Sequence, residues 1–328
     1  MNKKKSHNEL DTISKLLIVF ALLLVIFSLF APALFVSKSN WFDFNNTGPI
    51  GDTIGGLMNP FIAMAGVMIT FLAFYIQYKA NQLQREQFRE ELDSNKFENQ
   101  FYEMIRLHKE NVNEIAITIT HERIGSNYEY QLPDTEIKGR EVFKYYLKEL
   151  KVIYTITKEI FKSDKVEASL SKAYDVFFNG LSGDHALDKH KLDTEAIGVI
   201  GRGLVYNEIF EGHSAFLGHY YRHLFQTVKF VVSQDEKRVD YSQKRNYLRI
   251  LRAQLSDQEQ EMLYYNWLSG YGAAWENGIN QFFTDYRMIH NLKKNVLLYD
   301  FNAEDRFESS NILTDPNKKS DPLFEFQE

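Results

Sequence analysis

The chain contains no cysteine. That excludes disulfides, thiolate zinc sites and cysteine nucleophiles, although it does not fix the compartment. A basic balance is missing too: 38 Lys and Arg stand against 44 Asp and Glu, for a formal net charge of −6. No global field draws such a chain to nucleic acid, so only a local patch could make phosphate contacts. Familiar catalytic signatures are absent as well. There is no GxxxxGK(S/T) loop and no strand–GxGxxG–helix unit, and the glycines of GVIGRGLVY fit neither. GxSxG and HExxH are not found, nor is an Arg–x(4–6)–His ribonuclease-type spacing in the helical part. No internal repeat is present, and alternating strand patterns are scarce.

What the chain does have is two long apolar segments, Leu16–Val36 and Ile54–Tyr78, neither holding a Lys, Arg, Asp or Glu. An uncharged apolar run of about 18 or more residues is long enough to cross a hydrocarbon core. The competing reading is a signal peptide followed by a buried helix. The first segment is longer than the usual ~7–15-residue apolar region of a signal peptide and ends without a small-x-small cleavage site. Lys3, Lys4, Lys5 and Lys15 precede the first segment, and Lys79, Arg85 and Arg89 follow the second. The positive-inside rule then places both ends in the cytoplasm and the connector 37–53 outside, a two-pass arrangement in the inner membrane. Trp41, Phe42 and Phe44 suit the outer interface, and Tyr75 and Tyr78 the inner one. Pro60 falls inside the second segment, where a kink is expected. Gly51, Gly55, Gly56, Ala63, Ala65 and Gly66 either permit close helix approach or are ordinary membrane-helix composition.

Beyond the second segment, residues 79–96 read as a polar helical stalk with no sustained heptad. Phe97, Phe101, Met104, Ile105, His108, Val112 and Ile115 then recur at three- and four-residue spacing, the pattern of an amphipathic helix docking on a core. His121 to Arg140 reads as a loop. Helices are expected from Val142 to Ile160, from Ser171 to a stop at Gly180, from Phe216 to Val232, through KRNYLRILRAQL, and from a capping box at Ser256 and Glu259 to a stop at Gly270. A last helix is expected over Glu276–Leu292, then a polar mobile tail over 301–328. The aromatic share is 15%, with 26 Phe and 19 Tyr, which argues for a large packed core. The expected fold class is therefore mainly α: a two-helix N-terminal transmembrane hairpin (16–78), a helical stalk (79–96) and an α-helical cytoplasmic domain (97–300).

Four groups of residues are candidates for chemistry. His219 and His223 share a helix face and could supply two metal ligands, with a third from His108, His213 or Glu211. Residue spacing alone is weak evidence for ligand geometry, so no metal and no cofactor is assigned. With Arg222, the same histidines and His108 are the candidate catalytic set of a nuclease-like effector. His108 lies on the apolar face of its helix, where a satisfied core histidine is the common outcome. Arg245, Arg249 and Arg252 form a basic stripe that could meet phosphate or a partner, or could simply be a solvated face. Asn59 and Pro60 are the candidates for coupling to the membrane.

The order of these segments resembles a known family. GPIGDTIGGLMNPFIAMAGVMITFLAFYIQYKAN, NQFYEMIRLHKENVNEI, FLGHYYRHLFQTVKFV and LRAQLSDQEQEMLYYNWLSG together resemble the phage abortive-infection proteins of the AbiC-like family, from the connector to about Tyr286. The resemblance implies a membrane-anchored bacterial protein that protects a population against bacteriophage. It brings motif positions but no catalytic roles: Asn59, Pro60, Phe101, His108, Asn111, Asn113, His219, Tyr220, Arg222, Leu224, Arg252, Gln254, Ser256, Glu259 and Asn266. The expected partners are the lipid bilayer, a second copy of the chain, and an infection trigger of phage or host origin; nucleic acid is not favoured. A defence sensor or effector is the first expectation. A membrane-tethered enzyme and an interaction scaffold are the alternatives, and nothing in the sequence demonstrates an enzyme.

Overall fold

The computed structural model describes residues 3–36, 50–119, 135–161, 166–180, 212–307 and 322–325. The expected interface aromatics Trp41, Phe42 and Phe44, the glycine-rich stretch 198–211 and Glu211 lie outside them. Eight α-helices carry the described fold: α1 (Lys3–Val36), α2 (Ile50–Glu114), α3 (Glu141–Phe161), α4 (Val166–Asn179), α5 (Ser214–Val232), α6 (Tyr241–Arg252), α7 (Asp257–Leu268) and the short α8 (Ala303–Phe307). The chain divides into two compact units, Met1–Asn95 and Lys96–Glu328.

In the first unit, α1 and α2 touch through the rings of Phe27 and Phe61, edge to face at 5.2 Å between centroids. Ala21, Met58, Ala65 and Leu72 are buried, while Leu16, Phe20, Leu23, Ile62, Val67, Phe71 and Phe74 are exposed. Among the described residues one helix is long and apolar enough to cross a membrane, α2 from Met58 onward; the apolar stretch Lys15–Phe30 of α1 is shorter. Pro60 sits inside α2, where it supplies no N–H to the helix ladder. Among the described residues nothing lies within 4 Å of where a Cβ would stand at Gly55, Gly56 or Gly66.

The C-terminal turns of α2 belong to the second unit. Phe97, Phe101, Ile105, His108 and Val112 of α2 are buried, at the three- and four-residue spacing expected for its docking face. A two-stranded antiparallel sheet follows, β1 (Ala116–Ile119) against β2 (Thr135–Lys138), with Ile117 opposite Ile137. The second strand corrects the loop expected up to Arg140: four residues alternating Thr, Glu, Ile and Lys are too short to stand out in sequence, and the pairing with β1 makes them a strand. Gly139, at φ +67°, then turns the chain into α3. The φ of Gly180, +79°, closes α4 as a left-handed terminator. Capping boxes open α6 (Asp240 with Gln243) and α7 (Ser256 with Glu259).

The helix expected over Glu276–Leu292 is not formed; turns, a bridge between Glu276 and Gln281, and a left-handed Arg287 (φ +60°) take its place. Side chains capture the backbone there. Glu276 accepts from the amides of Phe283 (2.8 Å) and Thr284 (3.2 Å) and from the Thr284 hydroxyl. Asn277 Oδ1 accepts from the amides of Ile279 (2.8 Å) and Asn280 (2.7 Å). These bonds offer the chain an alternative to the helical ladder. The apolar periodicity that suggested a helix still lands in the core, with Phe282, Phe283, Met288 and Ile289 buried. Within the tail expected to be polar and mobile, the described residues Phe301, Ala303, Phe307, Leu323 and Phe324 are buried. The His290 carbonyl accepts from the Glu325 amide at 2.8 Å, which ties that segment down.

Candidate functional site

The residues that gather most chemistry in the second unit lie where α2, the β2–α3 turn, α5 and the start of α7 meet. The capping box of α7 places Glu259 there. Its Oε2 accepts from the Ser256 amide at 2.7 Å, and its own amide donates to Ser256 Oγ at 3.2 Å. This carboxylate is wholly buried. The Arg140 guanidinium stands against it, Nε 3.5 Å from Oε2, with 48% of the Arg140 side chain still exposed. Arg140 also donates to the Gln254 carbonyl. On its inner side Glu259 accepts from the Tyr220 hydroxyl at 3.4 Å. Burial pushes the Glu259 carboxyl up, although Ser256, Arg140 and Tyr220 all pull the other way. Burial likewise drives the Tyr220 phenol well up.

The chain of contacts continues through α5 to α2. The Tyr220 ring lies 5.3 Å from that of His108, and His108 lies nearly parallel to His223 at 6.2 Å. His223 Nε2 is 2.8 Å from the carbonyl oxygen of Met104 in α2. His108 is fully buried, and neither ring nitrogen has a hydrogen-bond partner among the described residues. Burial, helped by the nearby His223 and Arg140, pushes it down to about 4. It is a neutral core imidazole, packed between an aromatic ring and a second histidine.

Beside this cluster is an open cleft of about 530 Å³, lined by Lys109, Val112 and Asn113 of α2, Lys138 to Glu141 of the β2–α3 turn, and Gln254. A Cβ at Gly139 would stand 3.6 Å from Asn113 Oδ1 and at a φ that side chains rarely adopt. The contact distance would be ordinary; it is the left-handed φ of the turn that favours glycine here.

The structure separates several residues that the sequence grouped. His219 is exposed on α5 while His223, one turn on, faces α2. His213 is a buried partner of Glu149, Nε2 to Oε2 2.8 Å, packed on Tyr146 and Phe177. No group of three or more His, Asp or Glu among the described residues could hold a metal ion. Arg222 is exposed and donates to the Gly218 carbonyl in its own helix at 2.9 Å. The basic stripe works mainly on backbone carbonyls: Arg245 donates to Asp285 and Arg252 to Arg287, each at 2.9 Å, while Arg249 donates to Asn246. Two of its three guanidiniums therefore hold the irregular 276–292 segment. Asn59 and Pro60 are exposed on α2.

Sequence reasoning did not single out Arg140. The signal is slight, a Gly–Arg pair before an amphipathic helix, whereas its partner Glu259 stands out as a helix cap and as a motif position of the family resemblance.

A family model matches part of the chain. Residues 212–297, which span α5 to the end of the irregular segment, match the family model described as "Putative phage abortive infection protein". The match takes in Tyr220, His223, Gln254, Ser256 and Glu259, and it supports an AbiC-like family assignment. No curated protein and no solved structure matches the chain.

Proposed function

We propose that this chain, whose residues 212–297 match the model of a phage abortive infection family, is a membrane-anchored defence protein that couples an infection signal to the bilayer. The observation that carries the reading is the continuity of α2. One helix contains the apolar stretch beginning at Met58 and also the buried residues Phe97 to Val112 of the second unit. The exposed apolar side chains of α1 and α2 suit a lipid environment better than water. The flanking lysines and arginines favour a two-pass arrangement with both ends in the cytoplasm.

In this reading the cytoplasmic domain senses infection at the Arg140–Glu259–Tyr220–His108 cluster. A change there reaches α2 through His108 and through the His223 contact with the Met104 carbonyl. It alters the membrane helices around Asn59 and Pro60, and the membrane becomes leaky. Two helices enclose no channel, so permeation requires several copies.

The test follows membrane potential, with a voltage-sensitive dye, and phage yield in the same infected culture. Cells carrying the protein are expected to depolarise before lysis and release fewer phage. Full protection with membrane potential held until lysis would sink the permeability mechanism.

A further inference from the structure

The lining of the cleft beside Arg140 is richer in cations than the chain as a whole. Lys109, Lys138 and Arg140 line it with one lining carboxylate, Glu141, and just outside the lining Lys138 pairs with Glu136 at 2.9 Å and Arg140 with Glu259, whereas the whole chain carries −6. Its cations are also unlike in kind. Lys109 and Lys138 are exposed point charges on flexible stems, and Lys138 is shared with Glu136 in a surface ion pair. Arg140 is held from behind by buried Glu259 and by the Gln254 carbonyl, with half of its side chain open. A guanidinium oriented this way offers N–H groups in the fixed fork that matches phosphate oxygens. The Asn113 and Gln254 amides add neutral donors and acceptors at the rim. A volume of about 530 Å³ falls in the range of small-molecule sites and is too small for a nucleic-acid duplex.

We infer that this cleft binds a phosphate-bearing small molecule of mononucleotide size, with Arg140, Lys109 and Lys138 on the phosphates. The inference deepens the sensing reading above, and it rests on that reading for its role in the cell. Phosphate oxygens compete with Glu259 for Arg140. Each step by which the guanidinium moves toward the ligand leaves that carboxylate buried with less compensation, beside Tyr220 and one ring from His108. Occupancy is thereby felt at α2.

The experiment uses the purified full-length protein in detergent, titrated by calorimetry with ATP, with pyrophosphate and with adenosine. ATP and pyrophosphate are expected to give saturable heats at concentrations up to about 1 mM, weakening as salt is raised, and adenosine none. Lys109→Glu with Lys138→Glu is expected to weaken ATP and pyrophosphate binding by roughly tenfold or more, with only a small drop in the unfolding midpoint, because both side chains are exposed and the Lys138–Glu136 pair that is lost is a surface one. Lys237→Glu, an exposed charge in the α5–α6 turn, is expected to bind as wild type. Absence of saturable pyrophosphate binding to the folded wild type overturns the inference, as does undiminished binding by the double variant. Phage plating separates the two readings. Protection that survives in a wild type unable to bind pyrophosphate removes the cleft inference alone. A wild type that binds but gives no protection removes the defence reading alone. Full protection by a binding-deficient double variant overturns the cleft as the signal site.

Discussion

His108 has the sharpest conflict with its surroundings. Among the described residues both ring nitrogens are unpaired in a fully buried position, and its pKa falls to about 4. An unfolded histidine titrates near 6.5. The folded value is the lower one, so the unfolded chain takes up the proton first as pH falls. Stability is full above about pH 6.5 and declines until about pH 4, by about 3 kcal/mol in all. His108→Leu removes that loss and also removes two unsatisfied polar atoms, so the variant is expected to be at least as stable as wild type at pH 7.5. Urea unfolding of both proteins at pH 7.5 and pH 4.5 checks this. The prediction fails if the two lose stability in parallel. A functional part for His108 would show separately, as loss of phage protection in a variant that folds well.

At the scale of elements, the sequence gives away helices that carry their own stop and start signals. Ser256 and Glu259 announce α7, Gly180 and Gly270 mark chain reversals, and the spacing from Phe97 to Val112 identifies the docking face of α2. It conceals elements decided by long-range or side-chain bonding. Ile117 and Ile137 find each other only through pairing across some twenty residues, and nothing in either tetrapeptide forces it. Glu276–Leu292 has a helical apolar pattern, yet Glu276 and Asn277 divert the backbone. The candidate site was legible to the same degree: Glu259 and His108 stood out, while Arg140 did not, because its importance comes from a partner more than a hundred residues away. The irregular segment should consequently depend on Glu276 more than α7 depends on its cap. Ser256→Ala is expected to cost about 1 kcal/mol. Glu276→Ala strands the Phe283 and Thr284 amides in a part-buried setting and is expected to cost about 3 kcal/mol. Guanidinium denaturation ranks the two, and equal losses would show that Glu276 does not organise the turn.

For the whole molecule, the weight of the functional reading falls on which side of a bilayer each unit occupies. The proposed two-pass arrangement puts the connector 37–53 outside and the second unit inside. Alkaline phosphatase inserted after Asn45 is expected to be active, and the same enzyme fused after Glu325 inactive; a green fluorescent protein fusion should behave in the opposite way. Activity at both positions, or at the C-terminal one alone, would refute the arrangement and with it the direction of signalling along α2.

The aromatic packing of the irregular segment has a spectroscopic consequence. The chain has 3 tryptophans; Trp267 and Trp275 both pack on Phe283, at 5.7 and 5.8 Å between ring centroids. The indole of Trp267 also donates to the Glu276 carbonyl at 3.2 Å. Two of the chain's natural fluorophores therefore flank the very stretch that Arg245 and Arg252 hold in place. Its loosening would shift their emission to the red without any added label, so a ligand titration can be read as colour from the unmodified protein.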